Sequence, residues 1–291
     1  MTKEELTKRL GKGTLILDGA TGSNLMKAGM PKGICTEQWV AEHPDAIMEL
    51  QKAYAEAGSD IVYAPTFMAN PLSLATHGLA AETERLNHTL VGLSRKAVGD
   101  QVLVAGDLTT TGKLMEPLGP MNYEDLYESY KKQISCLADA GVDLLVAETM
   151  LASNETLVIL DAAQSVCDLP VFCTLTMEAD GSLFFGGNIF DTVEELEAMG
   201  AFAVGCNCST GPDQLESVIA GIRQRVSIPV IAKPNAGMPT ISPETGEAVY
   251  SMEPEEFAKS MLKLKAAGAS ILGGCCGTTP EFIRKLKKAL N

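Results

Sequence analysis

No stretch of this chain approaches 18 consecutive apolar residues, so the sequence offers no membrane-spanning helix. The start, Met1-Thr2-Lys3-Glu4-Glu5-Leu6, lacks the apolar core of a signal peptide, and a cytoplasmic location is the expectation. Positive charge is in deficit: 23 Lys and Arg stand against 37 Asp and Glu, for a formal net charge of −14. A surface this acidic repels phosphate backbones and anionic bilayers, so neither nucleic acid nor a membrane is expected as a partner. Two familiar motifs are missing as well. The loop Asp18-Gly19-Ala20-Thr21-Gly22-Ser23 does not have the G-x-G-x-x-G spacing of a dinucleotide-binding turn. The paired C-x2-C knuckles of structural zinc sites are also absent.

What is present is a repeating unit. Short apolar runs, Thr14-Leu15-Ile16-Leu17, Ile61-Val62-Tyr63-Ala64, Val102-Leu103-Val104-Ala105, Leu144-Leu145-Val146-Ala147, Val171-Phe172-Cys173-Thr174-Leu175-Thr176, Phe202-Ala203-Val204-Gly205-Cys206, Pro229-Val230-Ile231-Ala232 and Ser270-Ile271-Leu272, read as strands. Each is followed by a helical pattern, as at about residues 82–98, 123–140 and 153–166. Asp191 with Glu194 reads as a capping box, and Pro212 and Pro254 as helix openings. Glycine past a helix end leads straight into a strand at Gly58, Gly141, Gly200 and Gly268. Doubly apolar strands alternating with helices form a parallel sheet. Eight such units in 291 residues predict a (β/α)8 TIM barrel, one domain spanning residues 1–291 with a short N-terminal helix at about 3–10. The rival, an open doubly wound sheet, needs about six strands and a phosphate-binding first turn.

In such barrels the active site lies where the strands end. Those ends carry Asp18, Thr66, Asp107, Glu148, Glu178, Cys208, Asn235 and the Cys275-Cys276 pair. Of the eight cysteines, Cys136, Cys167 and Cys173 fall in regular patterns and read as small buried apolar residues. Cys208 ends the sixth strand and Cys275-Cys276 the eighth. Adjacent thiolates reach one metal only where the strand stops being regular, and Gly273, Gly274 and Gly277 supply conformational freedom there. Thr279-Pro280 then reads as N-cap and first residue of the last helix. Three thiolates suit zinc, and three protein ligands with one open position is the catalytic pattern. The alternative is a strained Cys275–Cys276 disulfide. A zinc with three thiolates is a poor activator of water and a good binder of a substrate thiol, leaving its sulfur electron-rich for attack on carbon. By strand parity Cys206 shares a face with Cys208, as a deeper core residue or a spare thiol. The apolar loop Ser182-Leu183-Phe184-Phe185-Gly186-Gly187 either packs, covers the site or meets a partner.

Asp18-Gly19-Ala20-x-Gly22-Ser23, Ala147-Glu148-Thr149, Asn207-Cys208-Ser209, Pro234-Asn235-Ala236-Gly237 and Gly273-Gly274-Cys275-Cys276-Gly277-Thr278-Thr279-Pro280 together resemble the homocysteine S-methyltransferase family. The Pro-Asn-Ala-Gly and Cys-Cys-Gly-Thr-Thr-Pro forms look most like the homocysteine-binding domain of cobalamin-dependent methionine synthase. The resemblance implies that Cys208, Cys275 and Cys276 bind zinc and that homocysteine sulfur takes the fourth position. It implies that Asn235 holds that position without substrate, and that Asp18 and Glu148 hold the amino group. The amides of Gly19 and Ala20 are expected near the carboxylate, with Thr66 and Asp107 also at the substrate. The implied reaction forms methionine, with methylcobalamin on a separate corrinoid protein as donor, since no folate or cobalamin domain is read in the chain. S-methylmethionine or betaine is the alternative donor, and a zinc thiol-binding subunit or sensor is the non-enzymatic alternative.

Overall fold

Each apolar run of the sequence becomes one strand, and the strands line up in parallel. The structure, a computed structural model, describes residues 1–178, 180–243 and 248–291. The strands are β1 (Leu15–Ile16), β2 (Ile61–Tyr63), β3 (Leu103–Leu108), β4 (Leu144–Met150), β5 (Val171–Leu175), β6 (Ala203–Cys208), β7 (Val230–Pro234), β8 (Thr240–Ile241), β9 (Ala248–Val249) and β10 (Ala269–Leu272). Eight of them form one sheet in the order β1-β10-β7-β6-β5-β4-β3-β2. The ring closes through a parallel bridge between Leu17 and Ile61. Asp60 fastens this seam from both ends: its amide donates to Ile16 O at 2.7 Å, and its carboxylate accepts from the Ile16 amide at 2.8 Å. The result is the (β/α)8 barrel expected from the repeat.

Strand alternation sorts the core into two layers. Leu15, Ile61, Leu103, Val146, Phe172 and Ile231 fill the barrel interior. Ile16, Val62, Val104, Leu145, Val204 and Val230 face the helices. The helix Lys3–Leu10 closes the bottom of the barrel, with Leu6 joining the interior cluster. Its start is fixed by a capping box between Thr2 and Glu5.

Several local expectations are corrected. The helix after β5 is Ile189–Ala198, and its cap is Asn188, whose side-chain oxygen accepts from the Phe190 amide. Asp191 lies inside that helix. Pro212 opens a short 3-10 turn, Pro212–Gln214, and the following helix is Glu216–Arg225. Thr279 stands at the N-cap of Pro280–Leu290 but makes no side-chain capping bond. Short helices at Gly22–Lys27, Thr36–Glu42 and Pro71–Ala75 and the β8–β9 hairpin decorate the mouth, and none was expected. No helix among the described residues is long and apolar enough to cross a membrane.

Candidate active site

The same alternation that fills the barrel places polar groups in its topmost interior layer. Ala105 faces inward, so Asp107 does; Val146 carries Glu148, and Ile231 carries Lys233. Tyr63 and Asn207 complete this layer. Above it opens a cavity of about 360 Å³, within the usual size of small-molecule sites. Asp18, Gly19, Ala20, Asp107, Glu148, Cys208, Cys275 and Cys276 all line it.

The three cysteines converge from two strand ends. Their sulfurs all lie within 4.8 Å of one another, and Cys208 Sγ is 3.9 Å from Cys276 Sγ. Tetrahedral zinc with sulfur at about 2.3 Å needs sulfurs about 3.8 Å apart, so the triad fits that ion. All eight cysteines are free thiols. Hydrogen bonds from Cys208 and Cys275 pull the Cys276 thiol down to about 3, while hydrogen bonding to Cys275 and Cys276, then burial, push Cys208 well up. Taking a soft cation releases the remaining thiol protons of the triad.

The backbone device that brings Cys208 into the triad is not the one expected. Cys208 and Ser209 both adopt left-handed φ, 57° and 55°. For residues with a Cβ this is strained, and such strain clusters at functional sites. It also breaks the alternation. Cys206 packs in the layer between sheet and helices, 1% exposed, while Cys208 turns to the mouth. Cys206 is therefore a core residue, and the expected shared face does not exist. Nor do Gly273 and Gly274 adopt positive φ; only Gly277 does, at 82°. They are small because the chain is crowded. A Cβ on Gly273 would lie 2.7 Å from Leu17 Cβ and 2.9 Å from Asp18 O, and one on Gly274 would lie 2.5 Å from Thr278 Oγ1.

Thr278 stitches the two loops together. Its hydroxyl donates to Cys275 O at 2.7 Å and accepts from the Ala20 amide at 3.1 Å. The Ala20 amide is thereby engaged within the protein, which removes it as a free donor to a ligand carboxylate. Asn207 braces the other side: its oxygen accepts from the Thr149 amide at 2.9 Å, and its amide points at Cys275 Sγ at 3.7 Å.

Opposite the thiols lies a buried charge cluster. Lys233 Nζ is 3.0 Å from Glu148 Oε1 and 3.7 Å from Asp18 Oδ1. Asp18 Oδ2 accepts from the Tyr63 amide at 2.8 Å. Burial pushes Asp18 up to about 7 against the pull of Lys233, and it raises Glu148 against the same pull. Asp107 stands well above its ordinary value, through burial first and the Glu148 charge second. Burial works against the Lys233 ammonium, but Glu148 and Asp18 outweigh it, and the lysine stays charged. Asp18 Oδ1 and Asp107 Oδ1 have no hydrogen-bond partner. Buried acceptors without a hydrogen-bond partner call for an explanation, and a cationic group is one that fits them.

Three expected positions fall outside the lining. Thr66 is fully buried below it, where its hydroxyl donates to Asp107 O at 2.9 Å and accepts from the Asp107 amide at 3.1 Å. It braces two strand ends instead of facing a ligand. Glu178 is exposed at the rim. Asn235 is 2% exposed and does not line the cavity, yet its Oδ1 has no partner. Its neighbours bind the cysteine pair directly, since the Cys275 amide donates to Pro234 O and the Ala236 amide to Cys276 O. An unsatisfied carbonyl so placed fits a fourth metal ligand. In the apolar loop after β5, Leu183 is buried and Phe184 half-exposed, and none of 182–187 lines the cavity. Sequence reasoning missed Lys233, Tyr63 and Glu37. Lys233 was legible as a cation two residues beyond an inward-facing isoleucine. Glu37 lines the cavity, but its Oε1 accepts from the Met68 amide at 2.8 Å, an arrangement only the folded loops reveal.

A (β/α)8 barrel with three converging thiols and a buried ion cluster at its mouth defines a class: barrels able to seat a thiophilic metal beside an amino-acid-sized cavity. The homocysteine S-methyltransferase family model matches residues 15–290, and the chain belongs to that family. Methionine synthase of Mycobacterium leprae (strain TN) is 28% identical over 314 aligned positions, covering 98% of this chain and 25% of that protein. Methionine synthase of Mycobacterium tuberculosis (strain ATCC 25618 / H37Rv) is 28% identical over 309, with the same coverage. The chain thus spans about a quarter of the length of these curated relatives. The homocysteine methyltransferase MmuM from Escherichia coli, metallated form, shares the fold with a TM-score of 0.79 at 24% identity, covering 95% of this chain and 96% of that one.

Proposed function

We propose that residues 1–291 form one homocysteine-binding unit that methylates the sulfur of homocysteine, giving methionine, with zinc as its metal. The observation that carries this is the triad of Cys208, Cys275 and Cys276 set in one cavity with the Asp18, Glu148 and Asp107 carboxylates. The three cysteines would hold the zinc, and Asn235, with its orphan oxygen, would close the fourth position when substrate is absent. In that position the ion would supply stabilisation of a substrate thiolate at neutral pH, with the sulfur left electron-rich.

The chain's own groups do the rest. Asp18 and Glu148 receive the ammonium of the amino acid, with Asp107 beside them. The Gly19 backbone lines the cavity for the carboxylate end, while Thr278 keeps the Ala20 loop and the Cys275 turn in one piece. Holding ammonium and sulfur at once fixes the thiol toward the open mouth, where an electrophilic methyl can approach. The donor we favour is methylcobalamin on a corrinoid protein, because the Pro234-Asn235-Ala236-Gly237 and Cys276-Gly277-Thr278-Thr279-Pro280 forms resemble the cobalamin-dependent branch.

The test supplies zinc-loaded protein and homocysteine with methylcobalamin, S-methylmethionine or betaine, and measures methionine. Turnover with methylcobalamin is expected. Faster turnover with a small donor would reassign the donor. Full activity of Cys208→Ala, or purified protein that takes up no zinc, would sink the metal reading. Homocysteine-dependent changes at the metal without turnover on any donor would point to a thiol-binding subunit.

A further inference from the structure

Lys233 is a charged group of the mouth that the proposed reaction leaves without a task. It is the one cation among the described residues lining the cavity, and its side chain is 3% exposed. Its ammonium lies 3.0 Å from Glu148, 3.7 Å from Asp18 and 4.8 Å from the centre of the Tyr63 ring. The two carboxylates come from β1 and β4, strands that are not neighbours in the barrel, so one lysine from β7 ties three separate strand ends together. A buried cation is costly unless it is paired, and this one is paired twice.

We propose that Lys233 is a positioning residue that holds Asp18 and Glu148 together as an aimed, ionised receptor for the ammonium of the thiol substrate. The inference rests on the reading of those carboxylates as ammonium acceptors. Two carboxylates buried side by side cannot both stay ionised without a counter-ion. Lys233 supplies that counter-ion, and with both carboxylates ionised the formal sum of Asp18, Glu148 and Lys233 is one negative charge. A single incoming ammonium neutralises it. Asp18 Oδ1, 3.7 Å from the Lys233 ammonium, and Asp107 Oδ1 are both buried without a hydrogen-bond partner. The flat face of Tyr63 under the ammonium adds a cation–π contact that fixes the lysine head. Lys233 therefore stays where it is when the ligand arrives, and acts through its two partners.

The experiment compares three thiols on cobalt(II)-loaded protein, reading binding from the sulfur-to-cobalt absorption band. Homocysteine carries both ends, 4-mercaptobutanoate lacks the ammonium, and 3-aminopropanethiol lacks the carboxylate. Lys233→Met is expected to weaken homocysteine and 3-aminopropanethiol about 10-fold or more and to leave 4-mercaptobutanoate within about 2-fold, as loss of a buried ionic receptor requires. Lys233→Arg, which keeps the charge but moves the donors, should recover most of the loss. If Lys233→Met does not fold by circular dichroism, Lys233→Arg carries the comparison, with a smaller loss confined to the two ammonium-bearing thiols. Weakening of homocysteine and 4-mercaptobutanoate, with 3-aminopropanethiol spared, would overturn the proposal and make Lys233 the carboxylate anchor. Equal loss on all three thiols, or none, would also overturn it. Failure of the wild-type protein to bind any of them would instead remove the homocysteine reading itself.

Discussion

At Cys208 the chain accepts a left-handed φ of 57° on a residue with a Cβ, a strain of about 1–3 kcal/mol, to bring one sulfur to within 3.9 Å of another. The arrangement is what the proposed shared ion requires. Losing an outer partner of a metal site typically costs about 10- to 100-fold in affinity, so losing a direct ligand costs at least that much. Cys208→Ala is therefore expected to lower zinc affinity by more than about 100-fold and to abolish methionine formation; a competition titration with a coloured chelator reads the first. Asp18 makes a pH prediction. Its ordinary value of 3.8 is raised to about 7 by burial. Between those two pH values the folded protein keeps a proton that the unfolded chain has released. The Asp18 contribution to stability is thus fully present below about pH 4, falls as pH rises to about 7, and is flat above, with a span on the order of a few kcal/mol. Urea unfolding at pH 5 and pH 8 should show a smaller loss in Asp18→Asn than in the wild type, the remainder coming from Asp107 and Glu148, which burial also raises. Over the same range the ionised carboxylate becomes available, so binding of the ammonium-bearing thiol should strengthen as pH rises through about 7.

Elements carry the site by close approach. The turn after β10 lies against the loop after β1, and Gly273 marks the crossing, where an added Cβ would meet Leu17 Cβ at 2.7 Å and Asp18 O at 2.9 Å. Because one of those atoms is backbone, the loop itself must move. Gly273→Ala is expected to cost about 1–3 kcal/mol, seen as a lower urea midpoint, and to weaken zinc binding because the displaced turn carries Cys275 and Cys276. Thr278→Val removes the bonds to the Ala20 amide and Cys275 O and should cost a similar amount, with both groups left unsatisfied. These elements also show what a sequence can and cannot reveal. The barrel was legible because each strand is a short run apolar on both faces and helices lead into strands through glycine at Gly58, Gly141, Gly200 and Gly268. The thiols and the Asp107 and Glu148 carboxylates were legible because strand ends in a barrel share one mouth. The short helices at Gly22–Lys27 and Pro71–Ala75 were not, since fewer than two turns leave no period to detect. The separation of Cys206 from Cys208 was hidden because it depends on a backbone φ. Thr66 was misplaced because its partner is the Asp107 backbone on the next strand, and no side-chain pattern records that.

For the whole molecule, the decisive point is where the metal site sits relative to the core. The barrel interior is filled by Leu15, Ile61, Leu103, Phe172 and Ile231, and a second layer seals the sheet against its helices. Neither layer includes Cys208, Cys275 or Cys276; the triad stands above both, at the mouth. A small zinc domain without a core unfolds when its metal is removed, because binding energy there is folding energy. This chain has its core regardless. Metal binding still favours the folded form by mass action, since the unfolded chain does not present three convergent sulfurs. Removing zinc from the loaded protein with a chelator is therefore expected to leave the far-ultraviolet circular dichroism at 25 °C unchanged and to lower the melting temperature by on the order of 10 °C. Under the proposed function homocysteine binds through the metal, so it should lose nearly all of its own stabilising effect in the chelated protein. The loss should be local as well. In hydrogen exchange, amides of the Cys275–Thr278 turn and of Asn207–Thr210 should open, while those of β3, β4 and β5 should keep full protection. Unfolding of the whole barrel on chelation would show that the triad, and not the two apolar layers, holds the fold together.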